Sequence, residues 1–236
     1  IEHKPPSKTT QQMFLLGLRK LVRHFSVYVF SRKPNLPRGY TAQDMSNDFA
    51  ETIRTEIGSP VHILSMSSGG SSAMHFAVDH AQLVNKLVLA MTAYRLNDHG
   101  KEICIIWRDL ALAGDWPKLW ERMGIDANES SAPEWVIRPM MRWFGGALLG
   151  KPKTGQDLAV VLESDMNLNV ADKLPHIKAP TLVIGGGSDP FYGADNIRET
   201  AKRIPNAKLH LIEGGGHAVV KTHTKAFENQ ILNFLA

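Results

Sequence analysis

Val61-His62-Ile63-Leu64-Ser65-Met66-Ser67-Ser68-Gly69-Gly70 is the stretch whose reading decides the fold. Val61 to Leu64 is a short apolar, partly β-branched run that reads as a strand, and Ser71 to His80 reads as a helix. A strand entering a helix through a tight turn of small residues leaves Ser67 at the apex. A hydroxyl is a poor nucleophile unless a base removes its proton during attack. On such a turn its oxygen stands clear of the sheet. The next backbone N–H, that of Ser68, is then free at the helix start to stabilise an oxyanion. Gly69 and Gly70 are expected to let the helix approach the strands closely.

Two further strand-to-loop segments carry an aspartate and a histidine. Thr181-Leu182-Val183-Ile184 reads as a buried strand and runs into Gly185-Gly186-Gly187-Ser188-Asp189-Pro190-Phe191. Lys208-Leu209-His210-Leu211-Ile212 reads as the last strand and runs into Glu213-Gly214-Gly215-Gly216-His217. Histidine suits a general base because its pKa lies near neutrality. Taken singly, an Asp-Pro turn and a loop histidine are common surface features.

The remaining segments alternate in the same rhythm. Met13 leads a helical stretch to about Arg23, and Ser26-Val27-Tyr28-Val29-Phe30 reads as a strand. Thr41 is placed to cap a helix, with Asp44 three positions on and Met45, Phe49, Ile53 and Ile57 recurring every four residues. Lys86 to Met91 reads as a strand, and a closing helix runs from about Lys221 to Leu235. Between Tyr94 and about Val170 the pattern becomes helical throughout and holds all five tryptophans: Trp107, Trp116, Trp120, Trp135 and Trp143. An insertion of that kind reads as a cap over a pocket, with aromatics that also bury one another.

The turn around Ser67 resembles the nucleophile elbow of the α/β-hydrolase family, Gly-x-Ser-x-Gly-Gly, with Ser65 in place of the first glycine. The chain order of serine, acid and histidine, each just after a strand, is similar to that family from about Met13 to Leu235. The resemblance implies an α/β fold: a mostly parallel sheet flanked by helices, with a helical cap. Residues 1–94 and 171–236 would form the core and residues 95–170 the cap. It implies Ser67 as nucleophile, His217 as base, and Asp189 as the acid that orients the histidine.

The family has further strands ahead of the first helix; these leading strands are missing from the sequence, which is expected to be either a fragment or a form that lacks them. Ile1 to His3 resembles the tail of the third, with His3-Lys4 where His-Gly would stand. The loop after that strand supplies the second oxyanion donor. The aligned residue here is Pro5, which has no N–H, leaving Lys4 or Ser7 to take the part. Loss of one such donor costs about two to three orders of magnitude in rate.

Composition narrows the remaining options. The chain has 27 basic and 23 acidic residues and a net charge of +4, but the charges are interspersed. The cluster Arg19, Lys20, Arg23 and His24 reads as a solvated helix face, so no nucleic-acid partner is expected. Cys104 is the one cysteine and lies in an apolar run, so it reads as a buried hydrophobe and permits no intrachain disulfide. No apolar run is long enough for a membrane span and the polar start is not a signal peptide, so a cytoplasmic protein is expected. The two glycine triplets lack nucleotide-binding spacing, and His217 and His223 lie six apart, so neither cofactor nor metal is expected. Met66 and Met74 read as packing.

The expected activity is hydrolysis of an ester or related acyl bond of a small, largely apolar substrate through an acyl-enzyme. Carbon–carbon bond hydrolases and acyltransferases share this triad and stay open. So does a weak or inactive member acting as a small-molecule receptor, which a fluorophosphonate probe would leave unlabelled.

Overall fold

The computed structural model describes residues 18–127, 132–150 and 154–236. Four strands, β1 (Val61–Met66), β2 (Val84–Ala90), β3 (Thr181–Gly186) and β4 (Ala207–Ile212), form one parallel sheet in the order β1-β2-β3-β4. Around it stand α1 (Leu21–His24), α2 (Ala42–Glu56), α3 (Gly69–Asp79), α8 (Gly193–Arg203), α9 (Val219–Thr222) and α10 (Thr224–Leu235). Four more helices, α4 (Asp98–Leu112), α5 (Trp116–Asp126), α6 (Glu134–Leu149) and α7 (Gly155–Met166), lie between β2 and β3.

Side-chain alternation along the central strands builds two apolar layers. Leu87, Leu89 and Val183 pack on one side with Met74 and Ala77 of α3 and Ile197 of α8. Val88, Ala90, Leu182 and Ile184 pack on the other with Phe227 and Ile231 of α10. Both faces are covered, which is why β3 is buried along its whole length and reads in sequence as an unbroken apolar run. Full burial of each such Leu or Ile contributes about 1.5–3 kcal/mol before entropy is counted.

The Thr41 cap is present with both of its hydrogen bonds. Asp44 N–H donates to Thr41 Oγ1, and Thr41 N–H donates to the Asp44 carboxylate at 2.8 Å. Met45 and Ile53 of that helix are buried, with Phe49 and Ile57 half-buried. Met74 is fully buried and Met66 packs against the second layer, as packing residues should.

Two expectations change. Ser26–Phe30 is not a strand: Val27, Tyr28, Val29 and Phe30 are 37–63% exposed, and no described strand lies beside them to complete a ladder. A groove of about 730 Å³ separates this segment from β1, whose other edge carries no partner among the described residues. The closing helix is broken at His223, whose φ of −126° and ψ of 35° are not helical. Helix α8, with Asn196, Ile197, Thr200 and Ala201 buried, follows the Asp189 loop. The start of the helix read from Met13, and the proposed tail of a strand at Ile1–His3, lie outside the described residues.

Within α4–α7 the tryptophans divide. Trp107, Trp116 and Trp120 pack inward, and the Trp107 indole N–H donates to Asp126 at 2.8 Å. Trp135 and Trp143 face outward at 76% and 79% exposure. Among the described residues no helix is long and apolar enough to cross a membrane.

Candidate active site

Each loop leaving the C-terminal ends of β1, β3 and β4 delivers one of the side chains singled out in the sequence. Ser67 has φ +52°, a left-handed backbone that a non-glycine residue adopts only where its surroundings enforce it. They do: Ser67 N–H donates to the Ala90 carbonyl at 2.9 Å, and Gly70 N–H donates to the Ser67 carbonyl at 2.8 Å. Ser65 is buried with its hydroxyl on the Val88 carbonyl at 3.2 Å, so a small polar residue is accommodated there.

Of the two glycines after the elbow, only Gly70 is needed for close approach. A Cβ there would fall 2.3 Å from Thr92 Oγ1, whereas one at Gly69 would sit at an ordinary 4.0 Å from Ser65. Gly186 does the same for the other two loops: a Cβ there would lie 2.2 Å from the Gly216 carbonyl oxygen. Ser188 N–H donates to the Gly215 carbonyl at 2.8 Å, tying the Asp189 loop to the His217 loop.

The three side chains form a continuous line. Ser67 Oγ lies 2.9 Å from His217 Nε2, and His217 Nδ1 lies 2.8 Å from Asp189 Oδ2. Asp189 is 3% exposed, and its Oδ1 accepts the N–H groups of Phe191 at 2.8 Å and Tyr192 at 3.1 Å. The carboxylate is therefore aimed by its own loop, and one oxygen is left for the imidazole. The His217 ring packs against Phe191 at 4.6 Å and stacks on Tyr192 at 6.0 Å between centroids. Trp107 of α4 packs in turn on Phe191, so the inserted helices reach the site through this ring. Ser68 N–H donates to no acceptor among the described residues, and helix α3 begins at the next position. Lys4, Pro5 and Ser7 lie outside the described residues.

A buried polar cluster beneath the elbow gave no sequence signal. Arg32 Nη2 donates to Ser68 Oγ at 3.0 Å, and Ser71 Oγ donates to Asp165 Oδ1 at 2.6 Å. Burial pushes the Asp165 carboxyl up from the usual 3.8 to about 6, with Arg32 and Ser71 pulling it part of the way back. Burial raises the Tyr192 phenol well above its ordinary range, and Asp165 adds to this. Cys104 is buried and its thiol is pushed up to about 12, chiefly by burial, which makes it an inert hydrophobe.

Asp165 has a consequence for stability. Its folded-state pKa is above its unfolded value, so between about pH 4 and 6 the folded protein holds a proton that the unfolded chain has released. This group therefore favours folding most at acid pH, and that contribution is lost as pH rises through 6. The size is a few kcal/mol at most. Urea denaturation of wild type and Asp165→Asn across pH 4–7 should show wild type losing ground to the variant as pH rises. A constant difference would remove Asp165 as the titrating group.

The sequence profile of the Alpha/beta hydrolase family matches residues 10–230. A poly(3-hydroxyalkanoate) depolymerase of Ectopseudomonas oleovorans is 29% identical over 187 residues, 74% of this chain and 60% of that protein. The chain thus spans about three-fifths of that relative's length. A putative carbamate hydrolase RutD of Serratia proteamaculans (strain 568) is 25% identical over 92% of this chain and 84% of its own length. Among solved structures, the enol-lactonase of Burkholderia xenovorans LB400 superposes with a TM-score of 0.77 at 21% identity, covering 95% of this chain and 86% of that one. An esterase of Exiguobacterium antarcticum gives a TM-score of 0.75 at 20% identity, over 94% and 86%. These two establish likeness of fold. With its parallel sheet, its strand-to-helix turn and the match along almost all of its length, the chain belongs to the alpha/beta hydrolase family.

Proposed function

We propose that the chain is a serine hydrolase that cleaves an ester or related acyl bond through an acyl-enzyme at Ser67. The observation that carries the reading is the unbroken line of contacts from Ser67 Oγ through His217 to Asp189, at 2.9 and 2.8 Å. With Nδ1–H committed to Asp189, the neutral imidazole offers its Nε2 lone pair to the serine. As Ser67 Oγ bonds to the substrate carbonyl carbon, its proton passes to Nε2 and negative charge gathers on the carbonyl oxygen. Ser68 N–H receives that oxygen, with Lys4 or Ser7 proposed for a second donor. Collapse of the tetrahedral species breaks the bond to the leaving alkoxy group, which takes the proton from Nε2. Water then attacks the acyl-enzyme with His217 again as base, and Ser67 is regenerated. Asp189 stabilises the imidazolium that forms.

Helices α4–α7 act in this reading as a cap, residues 95–170, over a core of residues 1–94 and 171–236. The Trp107–Phe191–His217 ring contacts support it, because they pack α4 against the loops that carry the histidine and its acid. The substrate proposed is small, uncharged and largely apolar at its acyl group. p-Nitrophenyl esters of increasing acyl length test this: kcat/KM should rise from acetyl to a medium-length acyl group. Preference for an ester with a carboxylate on its acyl chain would contradict the substrate class. Relatives named as carbamate hydrolases make an aryl carbamate a useful member of the panel.

A further inference from the structure

Arg32 is oddly provided for in purely structural terms. It sits in the loop ahead of α2, half-buried, and its hydrogen bond among the described residues is the one to Ser68 Oγ. Its Nε is enclosed without an acceptor among the described residues. A guanidinium has five N–H groups to satisfy, and enclosing one of them without an acceptor costs stability relative to an apolar residue of similar size. Burial lowers the Arg32 pKa, and the charge of Asp165 counters this.

The partners of this pair are what give the arrangement meaning. Ser68 and Ser71 are three positions apart at the start of α3, so they share one face of its first turn. Arg32 holds the first and Asp165 holds the second, at 3.0 and 2.6 Å. The guanidinium bonds the hydroxyl of the residue whose N–H meets the developing oxyanion in the reaction proposed above.

We infer that Arg32 is a positioning residue for that reaction: through the Ser68 hydroxyl it fixes the first turn of α3 and places a permanent positive charge beside the residue that offers the oxyanion-facing N–H. The inference rests on the serine-hydrolase reading. A fixed charge in a water-poor site stabilises charge that appears only in the transition state, so it acts on kcat and leaves ground-state binding alone. It also gives this turn a donor-side contribution drawn from the 32–68 contact, independent of Lys4 and Ser7.

The test compares wild type with Arg32→Gln, Arg32→Lys, Ser68→Ala and the double variant Arg32→Gln/Ser68→Ala. The readouts are steady-state p-nitrophenyl ester kinetics and the rate of fluorophosphonate labelling. Arg32→Gln should lower kcat and the labelling rate by about tenfold with KM within twofold, and Arg32→Lys should recover part of the loss. Ser68→Ala should lower kcat with little change in Tm, and adding Arg32→Gln to it should cost much less than tenfold, because the effect runs through Ser68. If Arg32→Gln does not fold, the Ser68→Ala result decides the matter alone. A wild type that labels while Arg32→Gln and Ser68→Ala both keep wild-type kcat overturns the inference and leaves the serine-hydrolase reading standing. A wild type that never labels removes both.

Discussion

Ser67→Ala should abolish turnover, lowering kcat by on the order of 10⁵- to 10⁶-fold while the protein stays folded. The substitution removes one oxygen and its contact to His217 at 2.9 Å. It leaves intact the backbone bonds from Ser67 N–H to Ala90 and from Gly70 N–H to Ser67, which hold the turn. Alanine carries the same left-handed strain at φ +52° as serine, so Tm should move by no more than a few degrees. His217→Ala should cost a similar factor, and the double variant little more, because nucleophile and base act as one unit. Active-site titration against residual p-nitrophenyl ester turnover checks both. Residual activity within a hundredfold of wild type would show that another group performs the attack.

Asp189→Asn should lower kcat by about 10⁴-fold through the tautomer of the histidine alone. An asparagine carbonyl oxygen can still accept the N–H groups of Phe191 and Tyr192, which now bond Asp189 Oδ1. Its amide nitrogen then faces His217 Nδ1, where Asp189 Oδ2 lies at 2.8 Å in the native protein. Being a donor, that nitrogen forces the proton of the neutral ring onto Nε2, the atom that must accept from Ser67. The ring therefore stays in place with its lone pair on the wrong side. Two readouts separate this from unfolding: Tm near that of wild type, and activity that recovers at high pH as the serine is deprotonated by solvent base. A variant with near-normal kcat would mean that Asp189 only anchors its loop.

Much of this architecture was legible because the sequence writes it locally. The apolar runs at Thr181–Ile184 and Lys86–Met91 are what a strand covered on both faces must contain, and β2 and β3 are the central strands. Thr41 and Asp44 announce a helix start within four residues, and the capping bonds form there. Ser67, Asp189 and His217 each follow a strand directly, so a parallel sheet brings its C-terminal ends, and these three loops, to one rim.

The misreadings share a different cause. Ser26–Phe30 has the composition of a strand, but a strand exists only with a neighbour, and a neighbour is a long-range fact. Gly69 and Gly70 look alike in sequence, yet only Gly70 faces Thr92 closely enough to exclude a Cβ. Arg32, Ser71 and Asp165 come from three distant segments and form no motif. Their meeting beneath Ser68 depends on how the loop ahead of α2 and the end of α7 pack against the elbow.

The most direct measurement is to treat the folded protein with a fluorophosphonate and map the modified residue by mass spectrometry. A single adduct on the peptide containing Ser67, formed in the native protein and lost in both urea and His217→Ala, is the predicted result. An adduct on some other residue of the folded protein, or equal labelling of Ser67 with and without His217, would contradict it.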